Sequence, residues 1–181
     1  IMLEDLSHHL LDIAENGVNA GADAIFVEIN DSGDRILFSV RDNGRGMTEE
    51  TVRAVVNPFY TTRTERRVGL GLPFLKQLAE LCGGTFAVAS EPGEGTEVKA
   101  SFLKSSIDLP PLGDIPSTLM TLFIGNPEIS WKYTHRRNDR EFSVDSGELK
   151  QALGGDNPFK EPAIALGIKE YIESNIDELY L

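Results

Sequence analysis

The sequence predicts an α/β two-layer sandwich, a mixed and mostly antiparallel sheet covered on one face by three helices. Apolar residues recur at steps of three and four over residues 3–20, the period of an amphipathic helix. Alternating apolar runs at 24–30 and 36–41 are joined by a short polar turn, and two more runs at 85–90 and 96–103 flank a glycine-rich turn, which is the pattern of antiparallel strand pairs. Helices with one apolar stripe and strands with one apolar face must cover each other. With 181 residues, 40% of them hydrophobic, the chain is long enough for one full domain and a smaller appendage.

Taken in order, Leu3, Leu6, Leu10, Ile13, Ala14 and Gly17 form the apolar face of the first helix, and Asp12, Asn16 and Asn19 fall opposite. Three such residues read equally as a solvated face. The spacing also suits chemistry, because an amide oxygen binds Mg²⁺ without neutralising it and a neighbouring carboxylate orients or deprotonates a nucleophile. The strands at 24–30 and 36–41 deliver Asp42 to a strand end, followed by Asn43-Gly44-Arg45-Gly46-Met47. Two glycines in a turn allow a flat ligand to approach the backbone, and Asp42 is an acceptor suited to an exocyclic amino group such as that of adenine. By itself this stretch is also an ordinary Asp-Asn-Gly hairpin turn.

Thr48 is the expected N-cap of a short helix through Val56, with Glu49 and Glu50 in its first turn and Pro58 closing it. Residues 57–70 are polar and aperiodic and read as a mobile lid or a solvated loop. They carry Arg63, Arg66 and Arg67, a basic cluster in an acidic chain. Gly69 and Gly71 precede a helix with Leu72, Phe74, Leu75, Leu78 and Ala79, where free N–H groups suit an anion. A P-loop is excluded, since Gly-x4-Gly-Lys-Ser/Thr is absent, and the spacing also fails the dinucleotide fingerprint. Residues 105–113, with paired prolines, read as a linker. Beyond it, helices are expected at 115–124, 147–153 and 163–180 and strands at 129–135 and 141–144. Trp131, Tyr133 and Phe142 are the expected core of this small unit, whose functional reading is a docking surface.

The balance of 17 Lys+Arg against 29 Asp+Glu, a net charge of −12, argues against a general nucleic-acid or anionic-membrane surface. Cys82 is the only cysteine, so no intrachain disulfide and no Cys-rich zinc site are available, and a reducing compartment follows. No apolar run is long enough to span a bilayer and no leader pattern is visible, so the expectation is a cytoplasmic protein with no membrane partner.

Together, and in this order, Asp12 to Asn16, Asp42 to Gly46, Asn57-Pro-Phe-Tyr-Thr-Thr-Arg63, Val68-Gly-Leu-Gly-Leu72 and Gly93-Glu-Gly-Thr96 resemble the ATP-binding boxes of the gyrase, heat-shock chaperone, histidine kinase and MutL superfamily (GHKL), whose shared domain is the Bergerat fold. The resemblance covers residues 3–104 and implies an ATP-binding domain at 1–104, a linker at 105–113 and an α+β extension at 114–181. It implies ATP and Mg²⁺ as cofactors, with Asn16 as metal ligand and Asn19 in the same box. Asp12 falls where hydrolysing members hold a general-base Glu, one methylene longer, and where histidine kinases vary. Asp42 would bind the adenine amino group, with Gly44, Gly46 and Met47 around it and the Thr96 hydroxyl near the base. Phe59 resembles an anchoring aromatic. Thr61, Thr62 and Arg63 sit where kinase-like members have Thr-Thr-Lys, so the guanidinium would meet the terminal phosphate, and Gly69, Leu70, Gly71 and Leu72 would cradle the phosphates. Residues 12–22 look most like the mismatch-repair ATPases and residues 58–102 most like histidine kinases. The phosphoacceptor pattern of such kinases is not present, so His8, His9 and His135 are expected as surface or core histidines, and a kinase of this kind would act on a separate protein. The implied activity is phosphotransfer in signal transduction, or an ATP-binding or ATP-hydrolysing switch that regulates a protein partner; a dimer is compatible with both.

Overall fold

The computed structural model describes residues 5–59 and 70–181. Helix α1 (Leu6–Asn19) begins at Asp5, whose side chain accepts from the His8 N–H, and leads into β1 (Ala24–Ser32) and β2 (Arg35–Asp42). After α2 (Glu49–Val55), capped by Thr48, come α3 (Gly71–Leu81), β3 (Phe86–Glu91) and β4 (Gly95–Leu103). The last third forms α4 (Ile115–Gly125), β5 (Ser130–Arg137), β6 (Arg140–Asp145), α5 (Ser146–Leu153), a 3₁₀ turn at Pro158–Lys160 and α6 (Pro162–Leu179). Only the 3₁₀ turn has no counterpart among the sequence expectations. Pro158 and Phe159, the buried part of that turn, carry no periodic signal.

The strands make one six-stranded sheet in the order β3-β4-β2-β1-β5-β6. All pairings are antiparallel except that of β1 with β5, so the sheet is mixed and mostly antiparallel, as expected. The placement of residues 130–145 differs from the sequence expectation of a small unit with its own core. β5 runs parallel to β1, with Ile25 beside Trp131 and Val27 beside Tyr133, and extends the same sheet. Ile25, Val27 and Ile29 alternate with exposed or half-buried Phe26, Glu28 and Asn30, and Trp131, Tyr133 and His135 repeat that alternation on β5. One face of these two strands is therefore covered. Trp131, Tyr133 and Phe142 belong to one core with Leu10 of α1, Leu75 of α3, Phe123 of α4 and Ile172 of α6. The helix layer is consequently larger than three, because α4 and α6 join α1 and α3 on it.

The linker is equally structured. The N–H groups of Leu6 and Ser7 donate to the carbonyls of Pro111 and Leu112, at 3.0 and 2.9 Å, so residues 111–112 satisfy donors that the first turn of any helix leaves open.

A buried polar chain also joins the last third to the first strands. The Tyr133 hydroxyl lies 2.7 Å from His135 Nδ1, His135 Nε2 lies 3.0 Å from the Tyr180 hydroxyl, and that hydroxyl donates to Asp31 Oδ2 at 2.9 Å. Because Tyr180 donates to Asp31, its oxygen accepts from His135 Nε2–H, which leaves Nδ1 to accept from Tyr133. Asp31 Oδ1 lies 2.6 Å from Lys104 Nζ and 2.8 Å from Arg137 Nη1. Burial pushes the Asp31 carboxyl up, but Lys104, Tyr180 and Arg137 together hold it below its ordinary value. His135 is fully buried, and burial pulls its imidazole down to about 4. No helix among the described residues is long and apolar enough to cross a membrane.

Candidate nucleotide site

Asp42 is the last residue of β2 and lies 9% exposed beneath α1. It is there because α1 carries Gly17 on its inner face: a Cβ at that position would stand 3.0 Å from the Asp42 Cβ and 2.9 Å from Ile25. A larger residue would push the helix off the strand end. The carboxylate accepts from the Gly44 N–H at 2.8 Å. Burial pushes the carboxyl above its ordinary value, against the opposing pull of the Gly44 and Thr96 N–H groups. A desolvated acceptor of this kind gains from a ligand donor that replaces the lost water.

The turn after Asp42 is no hairpin. Asn43 turns its side chain back, and its Oδ1 accepts from the Asp23 and Ala24 N–H groups at 2.8 and 3.0 Å. Gly46 has φ of +67°, and a Cβ there would lie 1.8 Å from the Glu91 carbonyl, so only glycine passes between the turn and the β3–β4 hairpin. The Met47 N–H donates to Ser90 Oγ at 2.8 Å, and that hydroxyl lies 2.8 Å from Thr96 Oγ1. Thr96 is the register partner of Asp42. Asn43 and Ser90 thus shape the site without having been singled out by sequence. Asn43 was legible as a turn residue, whereas Ser90 sits in a plain strand and gives no local signal.

Asp12, Asn16 and Asn19 share the outward stripe of α1; Asp12 and Asn19 are exposed and Asn16 is half-buried. The start of α3 meets this stripe, since a Cβ on Gly71 would lie 3.1 Å from the Asp12 Cβ. The α3 N-terminus has Leu70 in the cap position, which makes no side-chain cap hydrogen bond, and the leading N–H groups of any helix lie outside its own ladder. Leu72 is buried beside them and Leu70 is exposed. Asp42, Gly44 and Thr96 thus meet at the strand end under Gly17 of α1, and the same helix brings Asp12 beside Gly71 at the α3 N-terminus, with Asn16 one turn after Asp12. Phe59 stands 92% exposed and anchors nothing among the described residues. Thr62, Arg63 and Gly69 lie outside the described residues.

A cleft of about 640 Å³ borders the same turn, lined by Asp42 and Thr96 together with Phe26, Arg41, Glu49 and Val52. Asp12 and Asn16 do not line it; Phe26 and Arg41 belong to the uncovered side of the sheet, where the guanidinium stacks 4.7 Å over the ring. The polar corridor on the helix side has the better chemistry for a nucleotide. No group of three or more His, Cys, Asp or Glu among the described residues is disposed to hold a metal ion. The Asn16 amide suits the kind of Mg²⁺ that is held by one or two protein oxygens plus phosphate oxygens and water.

The chain is similar to known proteins in sequence and in fold. A family described as histidine kinase-, DNA gyrase B- and HSP90-like ATPase matches residues 3–106. The CAI-1 autoinducer sensor kinase/phosphatase CqsS of Vibrio cholerae is 28% identical over 175 residues, covering 78% of this chain and 25% of that protein. The sensor histidine kinase ZraS of Klebsiella oxytoca is 37% identical over 93 residues, covering 50% of this chain and 20% of that protein. The chain thus spans a quarter or less of the length of these relatives. The Aquifex aeolicus MutL ATPase domain complexed with ADP superposes with a TM-score of 0.51 at 19% identity, covering 83% of this chain and 67% of that one, a likeness of fold. With more than half of its length matched, the chain belongs to the histidine kinase-, DNA gyrase B- and HSP90-like ATPase family.

Proposed function

We propose that this protein binds Mg-ATP along the corridor from Asp42 to Gly71 and serves as a histidine-kinase-type phosphotransferase acting on a separate protein in signal transduction. The observation that carries the reading is the desolvated Asp42 carboxylate, held against α1 at Gly17 and flanked by the Gly44 N–H and Thr96. That group selects a ligand with an amino donor on a flat ring. Bound Mg-ATP would supply the phosphoryl group, with the metal offsetting charge on its oxygens. Asn16 holds the metal, the α3 N-terminus at Gly71 receives phosphate oxygens, and Asp12 orients the attacking group. The names of the relatives, sensor kinases, support phosphotransfer. The fold likeness to a MutL ATPase domain and the Asp12 to Ala22 text support a second reading, an ATP-dependent switch whose nucleotide state governs a protein partner.

Calorimetric titration with Mg-ATP tests the binding, and phosphate release or transfer of γ-label separates the two readings. Asn16→Ala is expected to weaken Mg-ATP binding while leaving Mg-free ADP binding nearly unchanged; equal Mg-ATP affinity in the variant removes Asn16 as metal ligand. Asp12→Asn is expected to abolish steady phosphate release if the protein is a hydrolysing switch.

A further inference from the structure

We infer that the joint formed by Asp5, Gly113 and Asp114 is a positioning element for the nucleotide site, through which the C-terminal helices set the placement of α1. The inference rests on the Mg-ATP reading above. Asp5 caps α1, accepting from the His8 N–H at 3.1 Å and from the Ser7 hydroxyl at 2.6 Å. Asp114 caps α4 in the same way, accepting from the Ser117 N–H at 2.9 Å. Between the two caps stands Gly113, with φ of +83°, and a Cβ there would fall 2.3 to 2.5 Å from the Asp5 carboxyl atoms. The residues just before it, Pro111 and Leu112, accept the first two N–H groups of α1. On the far side, Lys169 of α6 lies 3.7 Å from Asp114.

The consequence follows from the rigidity of a helix. Asn16 lies eleven residues beyond Asp5, or roughly 16 Å along the axis, and α1 is packed along that whole length at Leu6, Leu10, Ile13 and Gly17. A displacement at the cap therefore moves Asp12 and Asn16 relative to Gly71 and Asp42, which belong to other elements. Asp42 stays with β2. The groups of the adenine half, Asp42, Gly44 and Thr96, are carried by β2, the turn after it and β4 and meet α1 at Gly17, whereas Asp12 and Asn16 are carried by α1 itself; the joint thus acts more on the metal and phosphate half, and this asymmetry separates positioning from a general loss of stability.

The experiment is calorimetric titration of the full chain with Mg-ATP and, separately, with ADP in chelator, on the unmodified protein and on Gly113→Ala, Asp5→Ala and Asp5→Asn, with thermal melting of each. Gly113→Ala and Asp5→Ala are expected to raise the Mg-ATP Kd roughly tenfold and the Mg-free ADP Kd by less than about twofold. Asp5→Asn, which keeps a capping oxygen, is expected to bind like the unmodified protein. Equal weakening of both ligands, or unchanged Mg-ATP affinity in folded Asp5→Ala, overturns the positioning role. Asp5→Ala loses one cap and keeps the core, so it reads the joint even where Gly113→Ala does not fold. Absence of nucleotide binding by the unmodified protein overturns the ATP reading itself and this inference with it; normal binding with indifferent variants overturns the inference alone.

Discussion

Replacing Asp42 by asparagine is expected to weaken ATP binding while leaving the fold as stable as before or slightly more so. In the proposed Mg-ATP reading the carboxylate is the charged acceptor for the adenine amino group, and a hydrogen bond to a charged group contributes about 1.5–3 kcal/mol, or roughly ten- to a hundredfold in Kd. Stability moves the other way because burial raises the Asp42 carboxyl above its ordinary value. The ionised form is the one the folded protein disfavours, and a neutral isostere that still accepts from the Gly44 N–H removes that cost. The same sign governs pH. A bound amino donor favours the ionised carboxylate and lowers its pKa relative to the free protein, so ATP affinity falls as pH drops through the raised value, above the ordinary carboxyl range near about 3.9. Calorimetry across pH and a melting curve of Asp42→Asn check both halves. Undiminished ATP affinity in the variant, or equal affinity of the unmodified protein for ATP and GTP, excludes Asp42 as the adenine acceptor.

The second large effect concerns acid stability, and it arises far from the nucleotide. His135 is buried between two tyrosine hydroxyls and its imidazole titrates at about 4. The unfolded chain takes up the same proton near pH 6.5. The contribution is therefore fully present above about pH 6.5 and is lost as pH falls toward 4, because there the unfolded state binds a proton that the folded state refuses. The difference corresponds to a loss on the order of 3 kcal/mol across that window. Asp31, whose carboxyl is held below its ordinary value, remains ionised through most of it and adds its own loss at lower pH. His135→Gln keeps one acceptor for Tyr133 and one donor for Tyr180 but does not titrate. Denaturant unfolding at pH 7 and pH 4.5 is expected to show a steep loss in the unmodified protein and a much smaller one in His135→Gln. Parallel losses in the two proteins place the acid sensitivity elsewhere.

The sequence by itself determined the elements and the boxes, because both rest on local physics. Steps of three and four marked α1, strand alternation marked β1, β2, β3 and β4, and Thr48 announced α2 three residues ahead of the Thr51 N–H that it accepts. The order Asn16, Asp42, Gly46, Gly71, Thr96 was legible for the same reason, since each residue has a local setting its neighbours reveal: a polar stripe, a strand end, a glycine turn, a helix start and a strand start. Even the β5–β6 hairpin was visible, through its apolar alternation and the polar turn near Asn138.

Tertiary structure alone decided where the last third belongs. The parallel pairing of β1 with β5 joins residues about a hundred apart, and nothing in either strand names its neighbour, because backbone groups in every strand are the same donors and acceptors. The core of Trp131 and Tyr133 was foreseeable as a core, but its sharing with α1 was set by that pairing. Asp31 and Tyr180 meet across 149 positions; each alone is an ordinary polar residue near the end of an element. The linker gave the same lesson in reverse. Its prolines read as extended chain, but residues 103–109 form hydrogen-bonded turns and the partners of the Pro111 and Leu112 carbonyls lie at the other end of the nucleotide-binding half. Periodicity records which face of an element is buried, whereas the choice of what covers it is made by the summed packing of the whole chain.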